Sequence, residues 1–337
     1  MKERIAVLGS GSWGSALADL LVRNGHDVSM WCFEVEVAEA ITARHRNEKY
    51  LPGISLADDL RATTSMEEAL RDASVLLSVS PSHVVRPVIE QARHLLGEAR
   101  PLIVSASKGL ETGTDLRMSE VLAEVLGAPV SAGCVVLSGP SFAAELARRL
   151  PTAVTVASHD EANRRRVQTL FQNEHFRIYT QEDVIGTELG GSLKNVIALA
   201  AGISDGLELG NNARAALMTR GLAEIGRLAD RLGGDGATLA GLAGVGDLVL
   251  TCTGDLSRNR RVGLAIGAGR RLGDVLAEMT AVAEGVRTTR AAKDLADRHG
   301  VEMPIVEAVY SILFEDVEPE RALARLMARE PKPERWS

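Results

Sequence analysis

Cysteine is scarce in this chain: Cys32, Cys134 and Cys252 are the only three in 337 residues, far apart and each in apolar surroundings. No C-x-x-C or H-E-x-x-H spacing occurs, and the seven histidines do not cluster in sequence. A disulfide scaffold and a dedicated metal site are therefore not expected, and such thiols fit a reducing compartment. Long apolar runs are also missing, which excludes a membrane-spanning helix. Positive charge is not in excess: the net charge of −7 gives the surface no bias toward nucleic acid or anionic membrane. Internal repeats and low-complexity tracts are absent, and only Pro331–Ser337 reads as a loose tail. The first residues run directly into an apolar strand rather than a signal peptide, so a cytoplasmic globular protein is expected.

What remains is an ordinary soluble balance, 45% apolar and 25% charged, in a chain long enough for two domains. Arg164-Arg165-Arg166 reads as the solvated face of a polar helix, while Arg258-Asn259-Arg260-Arg261 asks for a more specific account.

The informative stretch comes first. The apolar run Arg4–Leu8 ends in Gly9, and Gly9-Ser10-Gly11-Ser12-Trp13-Gly14 has G-x-G-x-x-G spacing. Apolar residues then return at helical spacing until Asn24-Gly25. This is strand, tight turn and helix. The first glycine permits the turn, the second lets backbone approach a bulky ligand, and the third packs helix on strand. Unpaired amides at the helix start then offer a seat for a pyrophosphate. Any glycine-rich loop can match so short a pattern, but here both flanking elements are present.

Further near-continuous apolar strands follow at Asp27–Phe33, Ala73–Ser80, Pro101–Ser107 and Cys134–Gly139, with weaker ones at Ala153–Ser158 and Phe176–Thr180. Helical patterns separate them, which predicts a mostly parallel, doubly wound α/β sheet covered on both faces. Beyond Val184 the strand signal fades into Ala- and Leu-rich helices divided by glycine turns. The expected division is residues 1–184 as a dinucleotide-binding Rossmann domain and 185–337 as an all-α substrate domain.

Ligands of such a sheet sit beyond the carboxyl ends of its strands. Glu34 lies twenty residues after Gly14, where a carboxylate would accept the adenosine ribose hydroxyls and repel a 2′-phosphate. It could equally only start the next helix. Lys108 directly follows a buried strand. Lys194 sits in Leu189-Gly190-Gly191-Ser192-Leu193-Lys194-Asn195, an apolar, small-residue helix without a carboxylate one turn away, where the glycines would leave room for a ligand. A partly desolvated lysine beside another cation, such as Lys108, can exchange a proton with an alcohol near neutrality; the plainer reading is a lysine snorkelling to water. Asp247, after Gly244-Val245-Gly246, could orient it. Ser257 reads as an N-cap for a helix whose first turn carries Arg258 and Asn259, an arrangement suited to a phosphate.

Together these stretches resemble the bacterial-type NAD(P)-dependent glycerol-3-phosphate dehydrogenases. The resemblance is carried by Gly9–Gly14, Pro81-Ser82-His83, Ser107–Glu111, Ser138–Ala143, Gly190–Val196, Ala215–Gly221, Gly244–Thr251, Ser257–Arg260 and Glu284-Gly285, in the family's order across nearly the whole chain. It implies reversible reduction of dihydroxyacetone phosphate to sn-glycerol 3-phosphate for glycerophospholipid synthesis, by a cytoplasmic homodimer using NAD or NADP. It implies Lys194 as general acid/base, with Lys108, Gly139, Ser141, Asn195, Asp247, Thr251, Ser257, Arg258 and Asn259 around the substrate. Toward the cofactor it implies Gly9, Gly11, Ser12, Trp13, Gly14, Phe33, Glu34, Pro81, Lys108, Ala143, Arg258, Val282 and Glu284.

One departure concerns the cofactor. Many relatives carry a basic residue at or just after the position of Phe33, and Phe33-Glu34 here tilts the expectation toward NAD. Other readings stay open: a lysine-dependent β-hydroxyacid or 6-phosphogluconate type of dehydrogenase, and a non-catalytic NAD-binding sensor.

Overall fold

The protein is described by a computed structural model covering residues 2–127, 133–279 and 283–334. It forms two compact units: the chain up to Lys108 with Leu116–Val184, and Gly109–Asp115 with the chain from Ile185 onward.

The first unit is built on an eight-stranded sheet. Its strands are β1 Arg4–Leu8, β2 Asp27–Trp31, β3 Arg61–Thr63, β4 Val75–Ser78, β5 Leu102–Ser105, β6 Val135–Ser138, β7 Thr152–Ala157 and β8 Phe176–Gln181. They lie in the order β3-β2-β1-β4-β5-β6-β7-β8, all parallel except where β6 meets β7. With that one antiparallel junction the sheet is mostly parallel, as the strand pattern predicts. β3, an edge strand of Arg-Ala-Thr, has no apolar run to announce it.

β1 shows why the strands read as unbroken apolar runs. Ile5 and Val7 enter a core with Leu17 and Leu21, while Ala6 and Leu8 enter the opposite one with Ile89 and Val121. With side chains alternating between two buried faces, both must be apolar. The strand order reverses at β1, which has β2 on one side and β4 on the other. Such a reversal opens a crevice at the strand ends, and the glycine turn sits there.

The arginine run is not the solvated face expected. Arg164 is buried at 7% exposure, donates to Ser158 O and pairs with Glu182, and Arg166 grips Glu3 through two bonds of 3.0 Å. Only Arg165 fits the expectation, pairing in the open with Glu161. The helix carrying them, Glu161–Phe171, packs across β7 and β8, and its long cationic side chains reach the chain flanking other strands, Arg166 reaching Glu3 just before β1.

In the second unit the helix Val184–Gly206 is central, with Leu193, Val196, Ile197, Leu199 and Ala201 fully buried. Around it lie Gly210–Arg231, Asp247–Thr253, Arg258–Gly267, Leu272–Ala277, Glu284–His299, Pro304–Phe314 and Pro319–Met327. Among the described residues no helix is long and apolar enough to cross a membrane.

Candidate active site

In the sheet unit the three glycines have three different reasons. Gly9 has φ 126°, a conformation L side chains rarely adopt, and a Cβ there would come 3.1 Å from the Ser80 amide on β4's end. A Cβ on Gly14 would lie 2.1 Å from Gly9 O, so the helix Ser12–Arg23 can sit this close only without one. A Cβ on Gly11 would meet nothing within 4 Å. The space Gly11 faces is thus open, as a cradle for an external group requires. No side chain caps that helix and its first turn has no acidic residue, leaving its positive end available to an anion. Trp13 Nε1, beside it, is buried with no hydrogen-bond partner. The residues fit the pyrophosphate half of a dinucleotide.

Hydroxyls link the neighbouring strand ends: Ser80 donates to Leu8 O at 3.0 Å and Ser107 to Ser80 O at 2.6 Å. Next in the chain, Lys108 Nζ donates to Gly139 O at 3.0 Å and lies 3.5 Å from Ser141 Oγ, bringing those three together. Pro81 is exposed before a short helical turn, and Ala143 opens the helix Ala143–Ala147.

At the end of β2, Phe33 is 82% exposed and Glu34 stands at the N-cap of Val35–Arg44 without capping it. Instead its Oε1 accepts from Tyr50 Oη at 2.5 Å and Lys49 Nζ at 3.2 Å. Partial burial pushes the Glu34 pKa up, but these donors outweigh it and hold the carboxyl below its ordinary value. The loop carrying Lys49 and Tyr50 is fastened by Asn47, 1% exposed, whose amide donates to Ser10 O and Ser15 Oγ, each at 2.8 Å. Sequence reasoning passed over Asn47, Lys49 and Tyr50. The only signal was a polar tetrad ending in tyrosine between a helix and Leu51-Pro52-Gly53.

In the helical unit Lys194, 8% exposed, hydrogen-bonds to Asp247 Oδ1, whose side chain is almost wholly buried. The room ascribed to the glycines beside Lys194 is filled by protein at Gly190: a Cβ there would lie 2.4 Å from Ala243 O. Ala243 belongs to a π-helical turn, Leu242–Gly246, that leads into Asp247–Thr253. Helix and turn therefore touch main chain to main chain one turn before Lys194 and just before Asp247, and that contact sets the pair. Thr251 donates back to Asp247 O at 2.6 Å, which steadies the same turn.

A second main-chain contact places the other half. A Cβ on Gly202 would lie 2.1 Å from Arg260 O, and one on Gly263 2.1 Å from Leu199 O. The helix Arg258–Gly267 thus crosses Val184–Gly206 at backbone distance. Ser257 caps it, accepting from the Arg260 amide at 3.3 Å, and Arg258 follows with an exposed side chain. Asn259 is buried, donating to Asn195 Oδ1 and accepting from the Gly285 amide, each at 2.9 Å. Its side-chain amide therefore joins three helices, and any hold on a phosphate would come from its main-chain N–H. Arg260 is not simply solvated but pairs with Asp205 at 2.8 Å. Glu284 begins Glu284–His299, next to Gly285, whereas Val282 lies outside the described residues.

All three cysteines are buried, and among the described residues no group of His, Cys, Asp and Glu could hold a metal.

Comparison with known proteins adds a family. Residues 4–164 match the NAD-dependent glycerol-3-phosphate dehydrogenase N-terminus, and 183–324 the C-terminus. The glycerol-3-phosphate dehydrogenase [NAD(P)+] of Geobacter sulfurreducens is 54% identical, with 100% of both chains covered. That of Geobacter metallireducens is 53% identical over 99% of this chain and 100% of its own. The crystal structure of glycerol-3-phosphate dehydrogenase from Coxiella burnetii superposes with a TM-score of 0.92 at 42% identity, covering 97% of this chain and 99% of that one. With both halves matched and relatives this similar end to end, the chain belongs to the NAD-dependent glycerol-3-phosphate dehydrogenase family.

Proposed function

We propose that the chain reversibly reduces dihydroxyacetone phosphate to sn-glycerol 3-phosphate with NADH or NADPH, the sheet unit holding the cofactor and the helical unit the substrate. The observation that carries this is the Asn195–Asn259 hydrogen bond, which ties the start of Arg258–Gly267 to the residue next to Lys194. A proton donor and an anion-binding helix end then address two ends of one small phosphorylated ketone. A nicotinamide dinucleotide seated on the glycine turn would supply the hydride that the carbonyl carbon takes up. Lys194 donates its proton to the oxygen as charge develops there, and takes it back in the oxidative direction. Asp247 keeps the ammonium aimed. Arg258 and the amides of its helix's first turn hold the phosphate.

Initial rates with NADH and with NADPH, using dihydroxyacetone phosphate and the unphosphorylated ketone, test the reading. Turnover is expected to require the phosphate; equal turnover of both ketones would overturn it. Arg258→Ala is expected to raise KM for the phosphorylated ketone roughly ten- to a hundredfold through loss of a charged hydrogen-bond donor. An unchanged KM would mean the phosphate sits elsewhere.

The reading includes a cytoplasmic homodimer. Val245, Val249, Leu256 and Leu264 are large apolar residues 38–52% exposed on three successive helical segments and the turn before the last, as a subunit interface would need. Sedimentation at the mass of one chain would overturn the dimer. Three buried, widely spaced cysteines suit the cytoplasm, which cell fractionation checks.

A further inference from the structure

We propose that Lys49 is the residue that admits a 2′-phosphate, so that Glu34 and Lys49 together accept both the unphosphorylated and the 2′-phosphorylated nicotinamide dinucleotide. This rests on reading the glycine turn as the pyrophosphate seat, because only then does the end of β2, the strand beside β1, face the adenosine ribose.

A bare carboxylate at Glu34 would accept ribose hydroxyls and repel a phosphate. Glu34 is not bare. Lys49 and Tyr50 converge on its Oε1, so the site holds one negative and one positive charge rather than a lone anion. The two donors are not equivalent. Lys49 lies on the solvent side, its side chain 49% exposed against 20% for Glu34, whereas Tyr50 makes the shorter bond. An exposed ion pair of this kind is weak and exchanges partners readily. A phosphate dianion with several acceptor oxygens competes well for an ammonium. When Lys49 turns to the phosphate, Tyr50 stays on Glu34, so the carboxylate keeps a donor. The lysine's reach is set by the protein and not by a wandering loop, since buried Asn47, two residues earlier, is bonded to Ser10 of the glycine turn itself.

The test is binding of NADH and of NADPH to the intact protein without ketone, followed by nicotinamide fluorescence. The two ligands differ only at the 2′ position. Wild-type protein is expected to bind both. Lys49→Ala is expected to lower the affinity for NADPH relative to NADH roughly tenfold, an effect that shrinks with added salt. Glu34→Gln removes the competing anion and is expected to move the same ratio the other way. A ratio that Lys49→Ala leaves at its wild-type value overturns the role of Lys49 while leaving the cradle intact. Failure of the wild type to bind either ligand overturns the cradle reading, and the role of Lys49 with it.

Discussion

Replacing Lys194 with methionine is expected to lower turnover by roughly 10²–10⁴-fold, the usual contribution of a positioned acid/base. Affinity for NADH should change little. The single substitution also strips the buried Asp247 carboxylate of its countercharge, since the two side chains are 10% and 1% exposed. Leaving one partner of a buried pair typically costs about 3–5 kcal/mol of stability. Loss of activity in this variant alone could therefore reflect unfolding. The double variant Lys194→Met, Asp247→Asn separates the effects. Removing both charges of a buried pair is often close to neutral, so urea unfolding should return toward wild type while turnover stays low. A double variant that recovers stability and turnover together would show that the lysine matters only for folding.

The second large effect is expected from one added methyl group. In Gly202→Ala the new Cβ would fall 2.1 Å from Arg260 O and 2.8 Å from the Leu264 amide. Both are main-chain atoms of the crossing helix, so no side chain can swing aside. Overpacking of this kind costs about 3 kcal/mol at the upper end of its usual range. That corresponds to a fall of roughly 6–12 °C in melting temperature. The relief is for Arg258–Gly267 to move away, which carries Arg258 with it, so KM for the phosphorylated ketone should rise in whatever fraction stays folded. Gly273→Ala is the control. Gly273 is also helical, but its Cβ would meet nothing within 4 Å, and alanine there should be neutral or stabilising by up to about 1 kcal/mol. Equal behaviour of the two variants in thermal unfolding would remove the case for a backbone-distance crossing.

The sequence made some features plain and left others unreadable for physical reasons. The glycine turn was legible because strand, turn and helix are contiguous and each glycine serves a local need. Ser257 was legible as a cap because capping spans only three residues. The parallel strands showed as apolar runs because both faces are buried. The edge strand β3 did not, since Arg61, Ala62 and Thr63 face no second core. Glycine content next to Lys194 was visible, but a missing side chain announces a close approach without saying what approaches. At Gly190 the neighbour is the backbone at Ala243, far along the chain. Asn47 was unreadable for the same reason: its two acceptors lie 37 and 32 residues away. Charge pairing was misjudged where the partner was remote, as with Arg166 and Glu3, 163 residues apart.

The crossings at Gly190, Gly202 and Gly263 act as a fixed gauge. On the proposed reading, the proton-donating lysine and the phosphate-holding helix end ride on segments whose spacing is set by main chain pressed on main chain. Side-chain exchange in the core cannot lengthen or shorten that spacing by small steps, as it can between helices separated by leucines. A descendant of this chain that took a substrate one carbon longer would have to slide a whole helix or borrow a new phosphate ligand from a loop. Drift toward new substrates is thereby channelled to the rim, at positions such as Arg258, while the span between the two ends of the ketone stays locked.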